Sequence, residues 1–338
     1  MRNVETKSIQ PLIEAKNLKK YFHIKRKGIL HAVDDVSFTV MPGETVALVG
    51  ESGCGKSTIG NLVMRLLKPT EGQLFYQGQD VFAAGGEFSM ELRKKMQMIF
   101  QDPFSSLNPR KTIYKILAEA YEIHKMGAPD EIRSQVGQIC ERVELPKSLL
   151  DYYPHELDGG MRQVVGIARS LSLNPDFIVC DEPVSALDVS IQARIINLLM
   201  DLQQELGLAY LFISHDLSVV RHISKKVAVM YLGQIVETAD TDEIFENTIH
   251  PYSIALLSAV PRVNVEKKIS RIVLAGDVPS PMNPKPGCRF ASRCWMAKER
   301  CYQEKPVLQE VVPGHCVSCH YAAESQKLAA NAATISIG

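Results

Sequence analysis

Apolar residues recur along this chain at two different periods, and the changes between them lay out the elements. Residues 33–40 (VDDVSFTV), 44–49 (ETVALV) and 73–78 (QLFYQG) carry the β-branched and alternating pattern of strands. Residues 56–67 space their apolar positions at three and four, as a helix does, and open directly after a glycine-rich stretch. From Asp102 to about Ala168 the helical period dominates; KTIYKILAEAYEIHK and DEIRSQVGQICERV both show it. Beyond that, DFIVCD (176–181) and AYLFIS (209–214) are short apolar runs separated by the amphipathic IQARIINLLMDLQQEL. Buried parallel strands joined by a helix produce this order. From about Pro261 the periodicity fades, prolines cluster in VPSPMNPKPG, and cysteines accumulate. A boundary is therefore expected near residue 260, followed by a small, loop-rich appendage.

Composition narrows the class. The 338 residues suffice for one large domain, or one with an appendage. Hydrophobic residues make up 46% and charged residues 22%, ordinary values for a globular protein. A formal net charge of zero carries no signature of a nucleic-acid binder. The opening MRNVETKSIQ lacks the apolar core of a secretory signal. No run of about 18 apolar residues is present to span a bilayer. No repeat with a period of roughly 20–50 residues suggests a solenoid. The expected location is the cytosol, or a membrane partner on which the chain docks.

The sharpest chemical signal is G-E-S-G-C-G-K-S at residues 50–57, placed between an apolar strand and a helix as a phosphate-binding loop requires. Gly50, Gly53 and Gly55 let backbone N–H groups turn inward around a phosphate, with Ser52 and Cys54 between them. The helix beginning near Lys56 adds its positive dipole end. Lys56 can reach the β- and γ-phosphates of ATP; the Ser57 hydroxyl can ligate Mg²⁺, and Thr58 follows in the first turn. The magnesium needs a carboxylate, and FIVCDEP at residues 177–183 offers Asp181 at a strand end. Glu182, one residue on, is placed to orient or deprotonate an attacking water. Gln101 after MIF and His215 after LFIS also sit at the carboxyl ends of apolar runs, where ligands of open α/β sheets gather. Gln101 is a further Mg²⁺ candidate, and both residues are candidate γ-phosphate sensors.

The order GESGCGKST, IFQDP, LDGGMRQ, IVCDEP, SALD and SHD, over residues 12–250, resembles the nucleotide-binding subunit of ATP-binding-cassette transporters. HPYSIALLSAVP and the GCRF…RC…C…CH tail resemble the oligopeptide and dipeptide importer branch. The resemblance implies an α/β P-loop NTPase cassette in residues 1–260, with a RecA-like core, an antiparallel β subdomain and an α-helical subdomain at about 102–168. A Cys-rich C-terminal extension would fill 261–338. It implies an ATPase that powers peptide import as a peripheral subunit on the cytoplasmic face of the membrane. Its partners would be a paralogous ATP-binding subunit, two transmembrane permeases and, indirectly, an extracytoplasmic substrate-binding protein. Residues 104–109 would lie where the family docks on its membrane subunits. An aromatic residue stacking on adenine is also implied; Phe22 is favoured over Tyr21 by spacing. A nickel or other small-solute importer shares the same architecture. A soluble cassette ATPase is a further alternative, although it would usually carry two cassettes or a long coiled coil.

Two departures stand out. The family's subunits face head to tail, so the signature loop, Asp158, Gly159 and Gly160, would cover the partner's ATP. Its usual serine is replaced by Asp158, which when ionised can only accept hydrogen bonds. Aspartate is also a good helix N-cap, and the next helix is expected near Gly160. An asymmetric heterodimer follows as the expectation, its working site built on this chain's Lys56, Ser57, Asp181, Glu182 and His215.

The second departure is the tail. Five of the eight cysteines fall between Cys288 and Cys319, a pattern that in a reducing compartment suits a metal better than disulfides. Zinc usually begins with a tighter pair than the first three cysteines offer, whereas loop-borne thiolates suit an iron–sulfur cluster equally well. The resemblance implies a four-iron four-sulfur cluster on Cys288, Cys294, Cys301 and Cys319. Cys316, in C-x-x-C with Cys319, keeps zinc as the alternative.

Overall fold

A computed structural model describes residues 10–82, 86–260, 272–274 and 276–331. The expected boundary at residue 261 and the first ten-residue reading of the N-terminus thus fall on or beside segments outside the described residues.

The strands are β1 (Ile13–Ile24), β2 (Gly28–Val40), β3 (Thr45–Val49), β4 (Glu71–Tyr76), β5 (Gln79–Asp80), β6 (Met96–Ile99), β7 (Phe177–Asp181), β8 (Ala209–Ser214), β9 (Lys226–Tyr231), β10 (Gln234–Asp240), β11 (Gln309–Val312) and β12 (His315–Val317). The helices are α1 (Lys56–Val63), α2 (Gly86–Lys95), α3 (Pro103–Ser106), α4 (Ile113–Ile123), α5 (Pro129–Arg142), α6 (Gly159–Leu171), α7 (Val189–Leu206), α8 (Leu217–Ile223), α9 (Thr241–Glu246), α10 (Pro251–Ser258), α11 (Glu299–Gln303) and α12 (Ala322–Asn331). The chain divides into two units. The first comprises Met1–Glu14, Thr39–Glu44 and Leu74–Leu211; the second comprises Ala15–Phe38, Thr45–Gln73 and Phe212–Gly338.

In the first unit, β6 and β7 pair in parallel, with Met96 opposite Phe177 and Ile99 opposite Cys180. Every residue of β7 is buried, which is why FIVCD reads as a continuous apolar run. Helices α4, α5 and α6 supply the expected helical region. Thr112 caps α4 and Pro129 opens α5, two ordinary helix-start signals. Tyr76 and Lys95 both bind Asp176 just before β7, at 2.6 and 3.1 Å.

In the second unit, β3 pairs in parallel with β9, and β9 pairs antiparallel with β10 through the tight turn at Leu232 and Gly233. The sheet then continues into the tail: β10 pairs with β12, and β12 with β11. The C-terminal cysteine region is therefore joined to this unit by main-chain pairing. Helix α1 ends at Val63, short of the expected residue 67. The Met64 N–H closes back on Gly60, Arg65 takes a left-handed φ of 57°, and Pro69 follows.

One buried cluster fastens the tail. Glu237 on β10 and His315 on β12 are both fully buried, with Oε1 and Nε2 2.8 Å apart. His315 Nδ1 also lies 3.2 Å from Glu243. The Glu237 carboxylate accepts the N–H groups of Ile249 and His250 at 2.6 and 3.2 Å. Burial alone would lower the His315 pKa, but its bonds to Glu237 and Glu243 outweigh burial and raise it. The folded state thus holds this proton more tightly than the unfolded chain. The stability it adds is complete below the ordinary value of about 6.5 and fades as pH rises through the folded value.

Replacing His315 by Gln should cost about 3 kcal/mol at pH 6, because a buried carboxylate loses its cationic partner. The deficit should shrink as pH rises through the raised folded value of His315, where wild type also loses the charge. Denaturant unfolding of both proteins across this range measures it; a pH-independent difference would rule out the ion pair.

Candidate functional site

The glycine-rich loop leaves the buried strand β3 and enters α1 at Lys56, with Gly55 in the N-cap position at φ 108°. Two of its glycines are forced by close neighbours. A Cβ on Gly50 would lie 2.2 Å from the Met230 carbonyl oxygen, and one on Gly55 2.2 Å from that of Ala32. No side chain fits either place, so the loop can lie against β2 and β9 only with glycine there. The Cys54 carbonyl accepts the Gly233 N–H at 2.7 Å and ties the loop to the β9–β10 turn. Lys56 is 4% exposed, and its ammonium donates to the carbonyls of Gly50 and Glu51 at 2.8 and 3.1 Å. Ser57 and Thr58 follow in the first turn of α1, half-buried, while Ser52 and Gly53 are exposed at the loop's crest. Cys54 is buried, and burial raises the pKa of its thiol. In the same unit, His215 is exposed immediately after β8. The turn that carries it is fixed by Asp216, whose N–H donates to Ser214 Oγ at 3.0 Å and whose carboxylate caps α8.

In the other unit, Asp181 ends β7 and is 6% exposed. Glu182 follows with φ 46°, a left-handed conformation that a non-glycine residue holds only when its surroundings impose it. The next turn imposes it: the Glu182 carbonyl accepts the Ser185 N–H and hydroxyl at 3.2 and 3.1 Å. Gln192 on α7 locks the far side of this turn through the carbonyls of Val184 and Leu187. The result presents the Glu182 carboxylate to the Gln101 amide, 3.0 Å away. Two candidate residues read from separate motifs are thus in direct hydrogen-bond contact.

The signature segment starts α6 at Gly159, with Asp158 as N-cap. Asp158 Oδ1 accepts the Met161 N–H at 2.7 Å. A Cβ on Gly160 would lie 2.8 Å from Ile191 Cγ2, and one on Gly159 3.4 Å from Leu187. Close approach of the α7 entry therefore requires at least the second glycine. Arg162 is 7% exposed and donates to the Pro154 carbonyl at 2.6 Å. Its guanidinium also lies 3.7 Å from the centre of the Phe104 ring, supporting an aromatic that is 62% exposed.

Of the adenine candidates, Tyr21 is committed elsewhere. Its ring stacks on His31 at 4.0 Å and its hydroxyl donates to Asp34. Phe22 remains partly exposed, with the Lys20 ammonium 5.1 Å over its ring.

Cys288, Cys294, Cys301 and Cys319 line one small cavity whose walls include Phe290, Ala291, Met296 and Pro306. Burial, then the neighbouring Cys301 and Cys319, push the Cys288 thiol up to about 11. Burial, then Cys288, Cys319 and Cys301, push Cys294 up to about 12. Cys316 sits instead on β12, opposite Thr238 of β10, and does not line the cavity. Among the described residues, no group of three or more His, Cys, Asp or Glu is arranged to hold a metal ion. The four cysteines expected to share a metal thus converge on one cavity, without the tight shell that one zinc ion demands.

Comparison with known proteins places these features in context. The family described as "ABC transporter" matches residues 33–185, and "Oligopeptide/dipeptide transporter, C-terminal region" matches residues 236–301. The chain is 51% identical over 320 residues to the oligopeptide transport ATP-binding protein AppF of Bacillus subtilis, covering 92% of this chain and 97% of the relative. It is 48% identical to the dipeptide transport ATP-binding protein DppF of Haemophilus influenzae, covering 94% and 98%. Among solved structures, the dimeric ATP-binding cassette MJ0796, bound to ADP and Pi, superposes with a TM-score of 0.62 at 28% identity, covering 68% of this chain and 98% of that one. The structure of cbiO1 from Clostridium perfringens, part of the ABC transporter complex cbiONQ, gives 0.61 at 27%, covering 71% and 92%.

Replacing Asp158 by Ala should remove the cap of α6 and cost about 1 kcal/mol, while Asp158→Ser should cost less because serine also caps. Thermal unfolding of the three proteins orders them; equal stability of the alanine variant would show that the carboxylate does not hold this helix.

Proposed function

The chain belongs to the ATP-binding-cassette transporter ATPases, with the C-terminal region of the oligopeptide/dipeptide branch, and on that premise we propose that it powers peptide import by hydrolysing ATP. The observation that carries the chemistry is the buried Lys56 at the first position of α1, behind a loop whose glycines lie hard against two strands. The N-terminus of α1 and the loop's inward N–H groups bind the phosphate chain of ATP. Lys56 leaves the carbonyls of Gly50 and Glu51 for the β- and γ-phosphates. Bound magnesium would neutralise phosphate charge, and Ser57, Asp181 and Gln101 supply oxygen ligands of the type it takes. Glu182, fixed by its backbone and held by Gln101, orients and deprotonates the attacking water. His215 contacts the γ-phosphate, and Phe22 stacks on the adenine. No helix among the described residues is long and apolar enough to cross a membrane. Attachment at the cytoplasmic face through permease subunits is the arrangement that suits the function, with the exposed Phe104 in the docking segment. A nickel-importing role would use the same residues, since the ATPase does not itself choose the cargo.

Asp158 supports an asymmetric pair with a paralogous ATPase. Its carboxylate already occupies the Met161 N–H, so the start of α6 offers a neighbouring nucleotide one donor fewer and one negative charge more. Two like charges about 4 Å apart repel by roughly 4 kcal/mol at an effective dielectric of 20. The site covered by this loop then turns over slowly, and the site built on this chain's phosphate loop does most of the work. In the assembled transporter, Glu182→Gln should reduce ATPase activity by about a hundredfold or more. Asp158→Ser should leave that activity intact or raise it. Retention of most turnover by the glutamine variant would overturn the assignment of the working site.

The four cavity cysteines are the residues that would hold a four-iron four-sulfur cluster. A cluster brings its own sulfides and spans more widely separated thiolates than one ion does, and the apolar walls would shield it. Such a cluster would act here as a staple for a segment with little apolar core of its own. Anaerobically purified protein should be brown, with iron and acid-labile sulfide near equal amounts. Cys294→Ser should lose the colour and Cys316→Ser keep it. Colourless protein, or protein loaded with zinc, would refute the cluster.

A further inference from the structure

The second residue of the phosphate loop, Glu51, is held at both ends by residues from the C-terminal part of the chain. Its backbone N–H donates to the hydroxyl of Tyr252 on α10 at 2.9 Å. Its carboxylate meets the Arg293 guanidinium, Nη1 to Oε2, at 2.9 Å, with the two side chains 8% and 29% exposed. Nothing in the sequence of the loop requires this. Its own motif leaves the second position open to any residue.

The bracing groups are themselves fixed. Tyr252 is fully buried and lies against Tyr231 of β9 at a ring distance of 4.7 Å. Phe290 closes the cluster, edge-on to Tyr231 at 5.2 Å and tilted against Tyr252 at 5.5 Å. Phe290 is also a wall of the cysteine cavity. Arg293 sits at the end of a tight turn running from Cys288, in which Ala291 N–H donates to Cys288 and Cys294 N–H to Ala291. One residue after Cys288, Arg289 pairs with Asp34 of β2 and donates to the Leu232 carbonyl in the β9–β10 turn. That strand and that turn are the two surfaces against which Gly55 and Cys54 rest. The cysteine turn thus places one arginine on the phosphate loop and another on the loop's supports.

We propose that Tyr252 and Arg293 are positioning residues for nucleotide binding, acting through Glu51, so that the C-terminal region is a brace for the phosphate loop. A charge-assisted bond to the Glu51 carboxylate and a bond to its N–H fix the start of the loop before ATP arrives. The ordering then need not be done at the expense of binding. Tyr252 also takes the Glu51 N–H out of the set that could face a phosphate. Neither residue touches substrate.

This inference rests on the nucleotide-binding reading above, and titration of the purified full-length chain with a fluorescent Mg·ATP analogue separates the two. Wild type should bind; its failure would overturn the functional reading itself. Arg293→Gln and Glu51→Gln should each raise Kd about tenfold, or about 1.4 kcal/mol. Their combination should be no worse than either alone, because both remove the same contact. Tyr252→Phe should raise Kd by less, and Arg293→Lys should fall between Gln and wild type. Should Arg293→Gln not fold, Glu51→Gln, at a partly exposed side chain, carries the same expectation. Kd values within twofold of wild type across the folded variants would overturn the brace, even if their melting temperatures fall.

Discussion

A loop that wraps a phosphate with its own backbone must lie flat on whatever supports it, and here two carbonyl oxygens set the limit. Met230 and Ala32 leave no room for a side chain at Gly50 and Gly55. The course of this loop depends on keeping those two carbonyls in place. β9 carries one of them and is held between β3 and β10; β2 carries the other and is pinned by the Arg289–Asp34 pair. The loop is thus the point where a strand of the cassette, a β-turn and the C-terminal region meet. Its flexibility is spent on conformation rather than on motion, as phosphate binding through N–H groups demands.

That constraint explains why the C-terminal region shares a unit with the phosphate loop. β12 extends the sheet beside β10, and the Glu237–His315 pair is buried beneath that seam. A buried ion pair is a poor source of net stability, since both charges lose water. Its value here is directional. The Glu237 carboxylate gathers His315 from the tail and the N–H groups of Ile249 and His250 from the start of α10, and so sets where Tyr252 stands. An apolar pair of the same volume would pack as well and specify none of this.

The candidate residues were more legible in the sequence than the architecture around them. Gln101, Asp181, Glu182 and His215 drew notice because each stands at or just past the end of an apolar run, and Lys56 because it closes a glycine-rich loop. Neither the contact of Gln101 with Glu182 nor the left-handed backbone of Glu182 was signalled by any local pattern. β1, β9, β10 and the two tail strands went unread. The tail pair is too short for its alternation to rise above noise, and β1 mixes lysines with its apolar residues because most of it is not buried. Glu51 was invisible for a different reason. Its partners lie about 200 and 240 residues away, and no local pattern reports a contact that only the tertiary fold creates. The clue that existed was HPY at residues 250–252, whose tyrosine supplies the hydroxyl.

Asp158 shows how one residue can satisfy a local rule while breaking a distant one. For α6 it is a sound N-cap, since the carboxylate takes the Met161 N–H and sits at the positive end of the helix. The same two facts make it a poor neighbour for a triphosphate, because the donor is used and the dipole already has its anion. Serine would cap nearly as well and still have a proton to give. Helix stability therefore does not explain the exchange, since it gains at most a few tenths of a kcal/mol over serine by the usual ranking of caps. Under the proposed head-to-tail pairing, what changes by several kcal/mol is the electrostatics facing a neighbouring nucleotide. The proposed asymmetric pair therefore accounts for the departure where helix stability does not.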